Sequence, residues 1–236
     1  MMTIAYFFCD QPKSVHRHIE EWHSFSKEIK SQLEFVLVDT GSKELVNIDK
    51  RDLNLSLYKI KNFIPWNYGA RNLIYLVSSS RWVFHSDLDH IVNQQSAQEL
   101  IRLEKNPQSF YMFKRKNKSL KNDHHYNTTI HPATILVTRE AFWIAGGIEE
   151  NLSGHYGYDD TILVESLQRK GYKKEVPENI TIENLSLSGD DQDEDFINGG
   201  TWSRDISRNQ EIYNQFKSGN MELSLNRLNF EWEKII

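Results

Sequence analysis

The stretch RWVFHSDLDHIV, residues 81–92, opens as a buried strand and closes on two aspartates one residue apart, Asp87 and Asp89. Two carboxylates on one face repel, which raises a pKa unless a cation offsets them. Alternate residues of a strand point the same way, so Asp87 and Asp89 are expected to converge on one point. In an open parallel α/β sheet that point lies in the crevice beyond the carboxyl ends of the strands, where ligands collect. Hard oxygen donors there suit Mg²⁺ or Mn²⁺, with a substrate's phosphates completing the shell. Two solvated turn aspartates are the alternative. His85 shares the face if the pleat continues, which leaves open a His/Asp/Asp transition-metal set or a histidine satisfied by hydrogen bonds.

Around this stretch strands and helices alternate, the pattern of a layered α/β fold with a largely parallel sheet. TIAYFFC is a strand, and Ser14 opens a helical stretch in which Val15, Ile19, Trp22, Phe25, Ile29 and Leu33 recur at three- and four-residue spacing. EFVLVD and LNLSLYKI follow as strands, and a helix from Trp66 to Ser80 leads into RWVF. Further on come a helix around Ala97 to Lys105, strands at SFYMF and ATILV, a short helix REAFWIA closed by Gly146 and Gly147, and a helix from about Asp160 to Lys170. A strand-like NITIENLSL, an acidic GDDQDED and a polar segment, helical near Arg204 to Phe216, complete the chain, with no internal repeat.

With 236 residues the chain can bury one sizeable core. The net charge of -5 disfavours a nucleic-acid coat or an anionic membrane as a bulk partner. The single cysteine, Cys9, lies in an apolar run and reads as a buried inert thiol, in keeping with a cytoplasmic location. No apolar stretch approaches the roughly 20 residues of a membrane-spanning helix.

A second constellation is the aromatic and glycine loop GHYGYDD, residues 154–160, which places Asp159 and Asp160 at the start of an amphipathic helix. Capping accounts for one carboxylate at a helix N-terminus but hardly requires two. A carboxylate held there can serve as general base toward a hydroxyl, if the fold brings it to the metal aspartates.

In this order, FVLVDTGS, NYGARNLI, VFHSDLDH and AGGIEENLSGHYGYDDTILVESLQRKGY resemble the motifs of GT-A-fold glycosyltransferases, in particular family 2 enzymes and the galactosyltransferase-like group with a Gly-x-Glu/Asp-Asp loop. The resemblance runs from about Thr3 to Tyr172. It implies a GT-A catalytic domain over residues 1–183, with a nucleotide-sugar half (1–92) and an acceptor half (93–183), and residues 184–236 as an appendage packed on it. It further implies transfer of a sugar, with inversion, from a nucleotide-diphosphate donor such as a UDP-sugar to an acceptor hydroxyl. Asp87 and Asp89 would hold Mn²⁺ or Mg²⁺ and the donor diphosphate. Asp39 would read the nucleotide base, with an Asx-type turn before Gly41 as its alternative. Arg71 and Asn72 would stand beside the nucleotide, Asp160 would be the base, and Asp159 with Gly147 would contact the acceptor. Trp143 and Tyr156 or Tyr158 could offer flat surfaces to sugar rings.

Two departures matter. Thr40 stands where family 2 members commonly have a second aspartate, and no histidine follows His155, whereas many relatives supply one to the metal from beyond the catalytic helix. Asp190 or Asp191, in the acidic stretch, is the substitute considered. Rival readings are a nucleotidyltransferase, a metal-independent glycoside hydrolase, and a sugar-nucleotide or glycan-binding module without turnover. The basic stretch KRKNKSLKNDHH, residues 114–125, reads as an exposed loop near the acceptor side. A simply solvated loop is its first reading; the sharper one is contact with an anionic acceptor, and although a glycan is the acceptor class preferred, a nucleic acid carrying a hydroxyl-bearing base stays open.

Overall fold

The computed structural model describes residues 1–117, 127–184 and 204–236. Its centre is a run of four parallel strands, β1 (Met2–Phe8), β2 (Leu33–Asp39), β3 (Leu55–Ile60) and β4 (Trp82–Ser86), in the spatial order β3-β2-β1-β4. β1 and β2 are buried almost throughout, as strands covered on both faces must be, which explains their unbroken apolar runs. On one face α1 (Pro12–Ser24) lays Val15, Ile19 and Trp22 on the sheet, with the Trp22 ring stacked on Phe35 at 4.4 Å. On the other, α3 (Gly69–Val77) packs Leu73, Ile74 and Tyr75, and the Tyr75 ring lies flat on Phe142 at 3.6 Å.

The helix expected to run on from Ser14 through Leu33 is broken at Phe25, whose backbone is extended. Ser26 then caps a single turn, α2 (Lys27–Lys30), by accepting from the Ile29 N–H, and Leu33 begins β2. Phe25 and Ile29 still reach the core, so the apolar spacing marks the buried face while the backbone beneath it is not continuous helix.

The other half of the sheet is mixed. β4 pairs antiparallel with β7 (Asn127–Thr138), and β7 with β6 (Ser109–Asn117). Along its other edge β6 carries β8 (Lys173–Glu175) and then β9 (Thr181–Asn184), both parallel to it, and β9 pairs antiparallel with β5 (His90–Ile91). Lys114, Arg115 and Lys116, expected in a loop, are therefore strand residues between two partners, and Lys114 is ion-paired with Glu178. Residues 118–126 lie outside the described residues. Between β5 and β6, α4 (Gln94–Arg102) is capped by Asn93. α5 (Arg139–Ile144) and α6 (Asp159–Arg169) follow β7.

The C-terminal segment returns to the main body. In α7 (Ser207–Ser218) Phe216 is buried in the same core as Tyr75, and β10 (Trp232–Lys234) adds an antiparallel edge strand to β3. Glu149 and Glu150 accept the backbone N–H groups of Ser224, Leu228 and Asn229, tying this segment to the loop before α6. Cys9 is buried as expected, and burial pushes its thiol up to about 11, so it is not a thiolate at neutral pH. Among the described residues no helix is long and apolar enough to cross a membrane.

Candidate active site

A cleft of about 340 Å³ opens beyond the carboxyl ends of β1 and β4, and Phe7, Arg71, Asp87, Asp89, Asp159 and Asp160 are among the residues that line it. β4 stops at Ser86 and the chain turns, with the His90 N–H donating to the Asp87 carbonyl at 3.1 Å. The pleat therefore does not carry on to the aspartates, and a turn, not strand alternation, brings them together. His85 is left behind on the α3 face, its Nδ1 2.9 Å from the Tyr75 hydroxyl, which is the hydrogen-bonded alternative.

The histidine that joins the aspartates is His90. Ligating atoms of Asp87, Asp89 and His90 all lie within 4.8 Å of one another. His90 is fully buried; its Nδ1 lies 2.9 Å from Asp89 Oδ1, off the ideal hydrogen-bonding direction, and neither ring nitrogen meets a well-aligned partner among the described residues. Leaving buried polar atoms unpaired costs about 1–3 kcal/mol each, and an imidazole lone pair beside two carboxylates fits a divalent cation as its missing partner. Burial pushes the Asp89 carboxyl up, but His90, His131 and Arg115 outweigh it and hold it below the usual carboxylate range, ready to ligate.

The turn is held from below by α1. His18, fully buried and with its ring 4.2 Å from that of Tyr6, donates from Nε2 to the carbonyl of Leu88, between the two aspartates, at 2.8 Å. Burial pushes the imidazole down to about 4, so it stays neutral and keeps a proton for that bond. Groups that orient metal ligands without touching the metal typically matter 10- to 100-fold in affinity. His18→Phe, which keeps the ring packing, is expected to weaken Mn²⁺ binding by about that factor in calorimetry with a near-parental melting temperature. Unchanged Mn²⁺ affinity would leave His18 a packing role only.

On the facing wall, the backbone is left-handed at both Gly157 (φ +86) and Tyr158 (φ +69), and the Gly157 N–H donates to the Tyr68 hydroxyl at 2.7 Å. This bend delivers Asp159 and Asp160 to the cleft as the first residues of α6, where the helix dipole favours negative charge. The Asp159 carboxylate pairs with Arg71 Nη1, and Arg71 Nη2 donates to Asp87 Oδ1 at 2.6 Å. One buried guanidinium thus links the two motifs, which are remote in sequence. Burial works against the Arg71 charge, but Asp159, Asp87 and Asp160 outweigh it and push its pKa up. Burial raises the carboxyls of Asp159 and Asp160 against the pull of Arg71, and Asp87 adds to the rise at each. Asp87, Asp159 and Asp160 around one arginine carry more negative charge than it neutralises, a second respect in which the site fits a divalent cation.

Of the residues singled out in the sequence, Arg71, Asp87, Asp89, Asp159 and Asp160 meet in the cleft, whereas Asp39, Asn72, Trp143, Gly147 and Tyr158 are not among its lining residues. Asp39 Oδ1 accepts from the Gly41 and Ser42 N–H groups, the Asx-type turn considered as its alternative, and Oδ2 lies 3.9 Å from Lys59 Nζ. Asn72 is consumed by the loop before α6: its Nδ2 donates to Ile148 O and Glu150 Oε1, and its Oδ1 accepts from the Ile148 N–H. Gly147 packs on that amide so closely that a Cβ would lie 2.7 Å from Asn72 Oδ1. Trp143 stands edge-on to Phe142, and the Tyr158 ring stacks on Tyr213 of α7 at 5.0 Å. Tyr156 is the tyrosine that lines the cleft, 4.8 Å from Trp66, with the Arg204 guanidinium 5.8 Å from its ring centre. Trp66, His131 and Arg204 escaped the sequence reading, since none stands in a motif. His90 directly follows the aspartates and is legible beside them as a candidate ligand. Asp190 and Asp191 lie outside the described residues.

No protein-family model matches the chain, and no curated protein sequence matches it. Solved structures do. A mannosyltransferase, PcManGT from Pyrobaculum calidifontis, in complex with GDP-Man and Mn²⁺ superposes with a TM-score of 0.59 at 14% identity, covering 78% of this chain and 56% of that one. S. aureus TarS 1-349 in complex with UDP-GlcNAc gives 0.59 at 13% identity over 77% of this chain and 57% of that one. GalNAc-T7 with UDP, GalNAc and Mn²⁺ gives 0.59 at 12% identity over 78% and 43%. The chain has the GT-A fold. It spans a little over half the length of the first two of these structures.

Proposed function

We propose that this GT-A chain is a metal-dependent glycosyltransferase that moves a sugar from a nucleotide-diphosphate donor, a UDP-sugar in the simplest reading, to a hydroxyl of a glycan acceptor with inversion. One arrangement carries the reading: a candidate cation site of Asp87, Asp89 and His90 faces Asp159 and Asp160 across a single cleft, with Arg71 between them. The similar structures bound to GDP-Man, UDP-GlcNAc or UDP, two of them with Mn²⁺, support the same assignment.

Charge that grows on the departing diphosphate would be offset by a divalent cation held by Asp87, Asp89 and His90, and two oxygens with an imidazole nitrogen suit Mn²⁺ better than Mg²⁺. Asp160 takes the proton of the acceptor hydroxyl as its oxygen attacks the anomeric carbon, and the bond to the diphosphate oxygen breaks on the opposite face. A single displacement inverts that carbon. Arg71 holds Asp159 and Asp87 at a set separation, and with them the distance between base and leaving group. The edge formed by Trp66 and Tyr156 offers flat apolar area to a sugar ring.

Incubating the protein with a panel of UDP- and GDP-sugars and Mn²⁺ is expected to release free UDP or GDP, and chelation is expected to stop it. Release that continues undiminished in excess chelator would replace this reading with a metal-independent one. Binding of nucleotide sugars without turnover in the presence of a range of glycans would point to a binding module.

A further inference from the structure

β7 carries an irregularity beside the cation site. Between the partners Met112↔Ile135 and Lys114↔Ile130, β6 advances past Phe113 alone while β7 advances past His131, Pro132, Ala133 and Thr134. Bulges of this kind concentrate next to active sites, where they re-aim a side chain. Pro132 has no N–H to give the ladder, and the bulge is closed locally: Thr134 Oγ1 donates to the His131 carbonyl at 2.9 Å, and the Ala133 N–H donates to His131 Nδ1 at 3.3 Å. The side chain so presented lines the cleft with Asp87 and Asp89, its ring 5.1 Å from that of His90.

The local bond decides what this histidine can do. A ring nitrogen that accepts an N–H keeps its lone pair there, so the imidazole is neutral and its proton sits on Nε2. A protonated Nε2 has no lone pair for a cation, but it is a good donor to an anionic oxygen. We infer that His131 is a diphosphate-binding residue, donating from Nε2 to a phosphate oxygen of the nucleotide donor next to the cation site, and not a metal ligand. The inference rests on the proposed function, because it is that reading which brings a diphosphate into the cleft. Arg71, a cationic donor at the aspartates, is already committed to Asp87 and Asp159.

Two amide substitutions separate the ring's two nitrogens. In His131→Gln an amide NH₂ can reach the place of Nε2, whereas in His131→Asn an amide oxygen replaces Nδ1 and can still accept from Ala133, leaving nothing at Nε2. Calorimetry with Mn²⁺ alone, and then with UDP and with GDP in the presence of Mn²⁺, reads both roles. His131→Asn is expected to bind Mn²⁺ like the parent and the nucleoside diphosphate about tenfold or more weakly, the worth of one hydrogen bond to a charged group, while His131→Gln stays within a few-fold of the parent. Rescue by asparagine and loss in glutamine would reduce His131 to a bulge-closing role. A loss of Mn²⁺ affinity in both variants would make it a metal ligand, and parental nucleotide binding in both would remove it from the site. Failure of the parent protein to bind either nucleoside diphosphate would overturn the function reading itself, and this inference with it.

Discussion

Asp160→Asn is expected to lower sugar transfer by about 10²-fold or more while leaving Mn²⁺ and nucleoside-diphosphate binding near parental values. Asp160 lines the cleft at the start of α6, whereas its neighbour Asp159 is buried against Arg71. Of the pair, Asp159 takes the direct bond from Arg71, while the Asp160 side chain accepts from the Thr161 hydroxyl at 3.2 Å. Burial holds its carboxyl above the usual carboxylate range, with Arg71 opposing and Asp87 adding to the rise. A base must be ionised to act, so transfer should be slow at low pH and rise as pH passes upward through this raised pKa. Asparagine has no such ionisation, and its residual rate should lack that acid limb. Single-turnover kinetics over a pH series make the comparison, with product stereochemistry as an independent check. Near-parental transfer in Asp160→Asn, or retention at the anomeric carbon, would place the base elsewhere or discard single displacement.

Asp87→Asn and Asp89→Asn are each expected to weaken Mn²⁺ binding by about 10²-fold or more and to take nucleoside-diphosphate affinity down with it, as excess chelator should in the parent. The two should not be alike in what else they disturb. Asp87 also accepts from Arg71 Nη2 at 2.6 Å, so its replacement weakens the link across the cleft to Asp159, while Asp89 faces His90. Asp87→Asn should therefore lower transfer further than its loss of Mn²⁺ affinity explains, even at saturating Mn²⁺. Titration of each variant with Mn²⁺, and then with nucleotide, measures both effects. Donor affinity unchanged by chelator would end the metal role of both residues.

Much of the frame was legible because it is governed by local rules. Apolar runs in β1 and β2, the three- and four-residue spacing in α1 and α6, and the glycines after α5 each follow from burial or backbone freedom within a few residues. The break at Phe25 was missed because it leaves the apolar spacing intact: Ile29 reaches the core from a separate turn. Lys114 to Lys116 misled for the converse reason, since a basic run looks like a loop until two neighbouring strands and Glu178 are seen around it.

The sequence by itself determined that this is a layered α/β chain with one acidic pair at a strand end and a second at a helix start, because strand, helix and turn signals are short-range. Only the tertiary structure decided what those pairs meet. Arg71 joins Asp87 to Asp159 across 88 residues of chain between arginine and the second aspartate, and no local pattern encodes that contact. His90, not His85, stands with the aspartates because β4 ends at Ser86, before either aspartate, and the turn that follows breaks the alternation His85 would need. Tyr156 lines the cleft and Tyr158 does not, because a left-handed residue at 158 turns its ring onto Tyr213 of α7. In each case a single backbone angle or chain reversal sets where a side chain points, and its cost is met by packing from segments far away in sequence.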